Sequence, residues 1–224
     1  MSLCAGVLLR HWTGNGLAQH PGAELSFAAT FPFYILVEAG AGSLQVPIQA
    51  IFSEILENCF GTGLVVDGAI AMSKAQRNAF WRIREEQLEG QRREGDQLKH
   101  DLSVPPEFLG DFLVRASSEC QTNLKGVRIN PFGHLGDGNV HYNLSPPIGQ
   151  AGFFGLEKTF ALRLGRLANE MGGSFAAEQG LGRAKVALAD QLRDPLERAL
   201  MQRLKSAFDS AGILNPGVIV ADRH

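Results

Sequence analysis

Residues 130–147, NPFGHLGDGNVHYNLSPP, set a glycine-bearing turn between two segments of strand character. Gly133, Gly136 and Gly138 permit backbone angles that other residues resist, so the stretch can fold back on itself as an antiparallel hairpin. Asp137, caught between two of these glycines, is placed to brace the turn with its own side chain. The stretch also sets two of only six histidines, His134 and His141, on either side of one turn. Folded back, they can approach each other. Neutral imidazoles are common transition-metal ligands, and hydrogen-bonded structural histidines are the plainer use of the same pattern.

Around this hairpin, strand and helix signals alternate. FYILVEAG (33–40) is a β-branched and aromatic run that reads as a strand. VPIQAIFSEILENCF puts Ile48, Ile51, Phe52, Ile55, Leu56 and Cys59 on one helical stripe. GLVVDGAIA (63–71) reads as a second strand. SKAQRNAFWRIREEQLEGQRRE reads as a long polar helix with Ser73 as N-cap, and LKHDLSVP as a third strand. Pro105 and Pro106 open a helix through PEFLGDFLVRASSEC. After the hairpin, LEKTFALRLGRLANEMGG aligns Phe160, Leu164, Leu167, Ala168 and Met171 before a Gly172–Gly173 stop. SFAAEQGLGRAK is a loop or strand end, and PLERALMQRLKSAFDSAGILNP is a last helix and its stop. No strand is the unbroken apolar run of a doubly covered parallel sheet. The expected fold is therefore α+β: a ferredoxin-like antiparallel sheet with helices on one face and extra C-terminal helices. Residues 1–31, with HWTGNGLAQHPGAE, are expected to be an irregular leader or linker, and residues 32–224 one domain.

Composition narrows the function. A net charge of -2 gives no electrostatic footprint for nucleic acid. No apolar run reaches the length of a membrane span, and no secretory signal opens the chain. Cys4, Cys59 and Cys120 are odd in number and far apart, which reads as reduced thiols in a cytoplasmic protein. Downstream of the hairpin, Glu178 lies among small residues in AAEQGLGRAK, poor company for a solvated acid, though a surface-loop carboxylate is the plain alternative. GLGRAK lacks the full glycine pattern of a phosphate loop.

Taken together, GHLGDGNVHYNLSPP, KHDLSVP, AAEQGLGRAK and AFDSAGILNPG resemble the C-terminal half of the FAD-linked oxidases that dehydrogenate D-2-hydroxy acids. The resemblance runs from about Pro32 to Val218, and KHDLSVP with FWRIRE is most similar to the hydroxyglutarate type. It implies a cap domain that covers FAD and holds the 2-hydroxy acid substrate. The FAD itself would be bound mainly by a separate FAD-binding domain, in cis or in trans. No glycine-rich flavin loop precedes these motifs, so the chain reads as the cap alone, inactive without that domain. An apolar surface left bare by its absence would drive pairing into a homodimer.

The resemblance also implies roles. His134, His141 and Glu178 match divalent metal ligands, with zinc the usual ion. Arg84 and Lys99 match positions that bind substrate carboxylates, which needs fixed cations. Asn143 matches a substrate-contacting amide, and Asn215, in ILNPG, a position against the flavin, although Asn before Pro is also a turn initiator. One departure bears on the chemistry. The family reads Glu-His-Gly where this chain has Glu178-Gln179-Gly180. Gln179 has no titratable nitrogen and cannot take the hydroxyl proton as the family's histidine is thought to do. The alternative is therefore a catalytically silent domain that binds metal and carboxylate. Val218 and Leu88 depart from the family as well, where lysine and a hydroxyl residue are usual. A self-contained metal hydrolase built on the same three ligands is a weaker reading.

Overall fold

The computed structural model describes residues 2–9, 31–93 and 95–221. The chain forms two compact units: Met1–Gln97 with Arg128–Gly136 and Asn143–Gly152, and Leu98–Val127 with Asp137–Tyr142 and Phe153–His224.

In the first unit, β1 (Ser2–Leu9) pairs antiparallel with β2 (Phe33–Gly40), in a register running from Ser2 opposite Gly40 to Leu9 opposite Phe33. On its other side β1 pairs antiparallel with β4 (Arg128–His134), with Gly6 opposite His134. The expectation of an irregular residue 1–31 segment therefore fails at its start. SLCAGVLL is short and apolar, and as a central strand it finds partners on both edges, which no local turn signal cancels. HWTGNGLAQHPGAE lies outside the described residues. α1 (Ile48–Gly61) forms as its stripe predicts. GLVVDGAIA does not become a strand. Its first residues cap α1, through Leu64 and Val65 N–H groups on the Cys59 carbonyl, and Asp67 accepts from the Gly68 N–H. Leu64 and Val66 stand exposed, because a β-branched run needs a neighbouring strand and this one adjoins none among the described residues.

α2 (Lys74–Glu85) begins where Ser73 caps it: the Ser73 hydroxyl accepts from Gln76 N–H, while Gln76 Oε1 accepts from Met72 N–H. The expected long helix breaks at Glu86 and resumes as α3 (Gln87–Arg93). Glu38 on β2 ties α2 to the sheet, accepting from Arg77 Nε at 2.9 Å and Trp81 Nε1 at 2.5 Å. These hydrogen bonds, Arg77 first, hold its carboxyl below the ordinary carboxylate range.

In the second unit, β3 (Asp101–Ser103) pairs antiparallel with the start of β5 (Asn139–Ser145), with Asp101 opposite His141 and Leu102 opposite Val140. Strand alternation sends Leu102, Val140 and Tyr142 to one face, where all are buried. A 3-10 turn (Pro106–Phe108) leads into α4 (Leu109–Asn123), whose Phe112 meets Tyr142 edge to face at 5.9 Å. α5 (Glu157–Glu170) buries Phe160, Leu164, Leu167 and Ala168. A fully buried Phe or Leu side chain contributes about 1.5–3 kcal/mol relative to exposure, so this stripe anchors the unit. α6 (Val186–Leu192) follows, then α7 (Pro195–Phe208), capped by Asp194. The α7 leucines at 196, 200 and 204 are exposed. The α+β class and antiparallel pairing read from the sequence are those of the structure.

Candidate functional site

In the second unit, the face of β3 and β5 opposite the helices carries Asp101 and His141 as cross-strand partners. Three backbone devices bring Glu178 to them. Just past the end of α5, Gly172 has φ +80°, and the Gly172 and Gly173 N–H groups return to the Asn169 and Ala168 carbonyls. Ser174 then exchanges two hydrogen bonds with Ser103 on β3, at 2.8 and 2.9 Å. Gly173 has to be glycine for that approach, since a Cβ there would run into the Ser103 carbonyl. Finally, the Glu178 and Gln179 N–H groups both donate to Asp101 Oδ2, at 3.0 and 2.9 Å.

The result places Glu178 Oε2 3.7 Å from His141 Nε2, with Asp101 Oδ1 3.9 Å from His141 Nδ1. Asp101 is 3% exposed, and Asn139 Nδ2 donates to its Oδ1 at 3.2 Å while Lys185 Nζ lies 3.6 Å from its Oδ2. Burial alone would push its carboxyl up. The Gln179 and Glu178 amides, the Lys185 charge and Asn139 outweigh that and hold it below the ordinary value. Lys185 is depressed by its own burial, against the opposing pull of Asp101. His100, adjacent to Asp101, is buried and lowered to about 4; its Nδ1 donates to the Tyr142 carbonyl at 2.9 Å. The turn of the hairpin is set by Asp137, which accepts from the Asn139 N–H at 3.0 Å as its sequence context predicts. Gly138, with φ +69°, is packed where a Cβ would meet the Val104 carbonyl.

Of the sequence-predicted residues, His141, Glu178 and Gln179 thus come together in one unit. Gln179 is exposed, and Lys99 stands exposed just before β3. Asn215 has φ +46° and accepts from the Val218 N–H at 3.2 Å, which is turn geometry. The chain leading to it is held by Asp209, whose carboxylate accepts from the Ile213 and Leu214 N–H groups at 2.9 Å. His134, half-buried at the end of β4, belongs to the first unit. There Arg84 lies over the Phe132 ring, 4.9 Å from its centroid. Asn143 is buried and donates from Nδ2 to Gln91 Oε1 at 2.7 Å, and Gln91 Nε2 donates to the Asn130 carbonyl. Asn130 Nδ2 in turn donates to Ser145 Oγ at 3.0 Å. No group of three or more His, Cys, Asp or Glu side chains is gathered as a ready metal cage among the described residues. Of the three residues expected as ligands, His141 and Glu178 meet within the second unit, beside a second carboxylate, Asp101, that the sequence motifs did not single out. An aspartate inside a strand motif was its signal, because Asp is depleted in strands unless its oxygens have partners.

The sequence pattern of FAD linked oxidases, C-terminal domain, matches residues 15–219. D-2-hydroxyglutarate dehydrogenase, mitochondrial, of Rattus norvegicus is 34% identical over 185 residues, covering 83% of this chain and 34% of that protein. D-2-hydroxyglutarate dehydrogenase of Xanthomonas citri pv. viticola is 32% identical over 198 residues, 88% of this chain and 41% of that protein. The same-named protein of Stutzerimonas stutzeri is 32% identical over 197 residues, 87% of this chain and 42% of that protein. The chain thus spans between 34% and 42% of the length of these relatives. With the match running from residue 15 to residue 219, the chain belongs to the C-terminal domain family of the FAD linked oxidases.

Proposed function

We propose that this chain is the substrate- and metal-binding part of a flavin-dependent dehydrogenase that oxidises a D-2-hydroxy acid, hydroxyglutarate-like or lactate-like. The observation that carries the reading is the meeting of His141 and Glu178 within a chain of this family. FAD, held mainly by a separate domain, would supply the acceptor for a hydride leaving the substrate's C2. A divalent ion such as zinc would polarise the hydroxyl and ease its deprotonation.

The donor pair fits such an ion. Two ligand atoms about 2.1 Å from one tetrahedral zinc stand roughly 3.4 Å apart. Nε2 of His141 and Oε2 of Glu178 are 3.7 Å apart, so a small rotation brings both into range. His141 Nδ1, turned to Asp101, has the carboxylate neighbour that metal-bound histidines usually use to fix ring orientation. Arg84 and Lys99 would grip carboxylates, arginine with two parallel bonds. Asn143, with one amide hydrogen on Gln91, would offer the substrate its other. Asn215 would meet the flavin edge through the turn that it starts.

Gln179 favours a second reading. Its side chain is exposed beside Glu178 and can donate or accept a hydrogen bond, but it cannot take a proton near neutral pH. The chain would then bind metal and hydroxy acid without turnover. Calorimetry of D-2-hydroxyglutarate, its L-enantiomer and D-lactate against the zinc-loaded chain tests the shared part of both readings. Binding of a D-hydroxy acid in preference to its mirror image is expected. Equal, negligible heats for all three would defeat both.

A further inference from the structure

Glu178 is exposed and sits on a loop, so its backbone has to be held for its carboxylate to stand against His141. The restraint comes from β3. Ser103 grips the incoming strand at Ser174 with two backbone bonds, and Asp101, two residues earlier, grips it again at Glu178 and Gln179. Only three residues lie between the two grips, and the first, Phe175, is buried. The same Asp101 carboxylate reaches β5 through Asn139 and the approach to α6 through Lys185. Its cross-strand partner is His141. One buried side chain therefore fixes Glu178 relative to the imidazole it faces.

We propose that Asp101 is the positioning residue of this site: by holding the Glu178 and Gln179 amides on Oδ2, it sets the Glu178 carboxylate against His141 so that both can ligate one divalent cation. The inference rests on the metal reading above and adds a residue to it. Asp101 does not touch the ion. It acts through the loop and through the face it gives to His141 Nδ1.

The test uses the 224-residue chain, its Asp101→Asn variant and zinc(II) as the probe. Asparagine keeps the volume but offers a single acceptor oxygen and no charge, so it cannot reproduce both amide bonds at full strength. Zinc affinity by calorimetry should fall about ten- to a hundredfold, the range for residues that orient metal ligands. Amide exchange read by NMR should speed up about tenfold at Glu178 and Gln179, the weight of a charge-assisted hydrogen bond, while Ser174 keeps its protection. A merely structural Asp101 would lower the melting temperature of the folded variant and leave zinc affinity and those two amides alone, and that result overturns the proposal. Should the variant not fold, the wild-type chain still decides. Its Glu178 and Gln179 amides must exchange more slowly than the Gly180 amide, which has no hydrogen-bond partner among the described residues, and equal rates mean that Asp101 holds nothing. If the wild-type chain takes up no zinc, the metal reading fails, and the exchange comparison alone decides the Asp101 grip.

Discussion

Alanine at Gly138 and alanine at Gly136 differ by two positions in one turn, and the structure assigns them opposite outcomes. At Gly138 φ is +69°, and a Cβ would run into the Val104 carbonyl. The left-handed backbone costs an L-residue about 1 kcal/mol or more. Relieving the collision means moving Val104 away, which stretches the 3.1 Å bond from Val104 N–H to the Gly138 carbonyl, worth about 1 kcal/mol. The unfolded chain loses some freedom on gaining a Cβ, which returns about 0.4–1 kcal/mol. The net expectation is a loss of about 1–2 kcal/mol. At Gly136 a Cβ meets nothing and φ is not positive, so Gly136→Ala should be neutral or slightly stabilising. Equilibrium urea unfolding reads both: with a slope of about 2 kcal/mol per molar, Gly138→Ala should lower the midpoint by roughly 0.5–1 M. Equal midpoints for the two variants would refute the packing of this turn on Val104, just after β3.

Leu164→Ala, at a side chain with no exposure, should cost about 2–5 kcal/mol in the same assay, whereas Leu200→Ala on the exposed α7 face should cost well under 1 kcal/mol. His100 makes the folded state acid-sensitive: its folded value near 4 lies below its unfolded value of about 6.5, so between those limits only the unfolded state holds the extra proton. Stability should therefore drop by up to about 3 kcal/mol as pH falls from 7 to 4, and His100→Asn should flatten that part of a denaturation-versus-pH profile. Lys99→Met should weaken D-2-hydroxyglutarate binding about tenfold or more in calorimetry while leaving the melting temperature unchanged, since Lys99 is exposed and a charged hydrogen bond is worth about 1.5–3 kcal/mol.

Much of this was legible locally. The hairpin around Asp137, the Ser73 cap and the Phe160–Leu164–Leu167 stripe each carry their signal within a few residues, and each forms as read. The errors came where structure depends on a distant partner. Among the described residues GLVVDGAIA has strand composition but no strand beside it, and SLCAGVLL has the same composition with two. VALADQL, which forms α6, is too short for its period to stand out before the Asp194–Pro195 start of α7. In the site, His141 and Glu178 were recognisable from their motifs. Asp101 was hidden because its role lies in accepting backbone N–H groups from a loop 77 residues away, a contact that leaves no spacing pattern. The pairing of Asp101 with Lys185 follows from that same fold-back and was equally invisible.

The proposed function of this chain is service in the oxidation of a D-2-hydroxy acid by FAD. Anaerobic flavin absorbance reads this in a fusion of the chain, with Gln179 or with Gln179→His, to an FAD-binding domain of an FAD linked oxidase. Bleaching by D-2-hydroxyglutarate or D-lactate, and none by the L-enantiomers, is expected. Bleaching confined to the Gln179→His fusion would assign the native chain to the silent, binding-only reading. An FAD that stays oxidised in both fusions, with every D-2-hydroxy acid tried, would contradict the account.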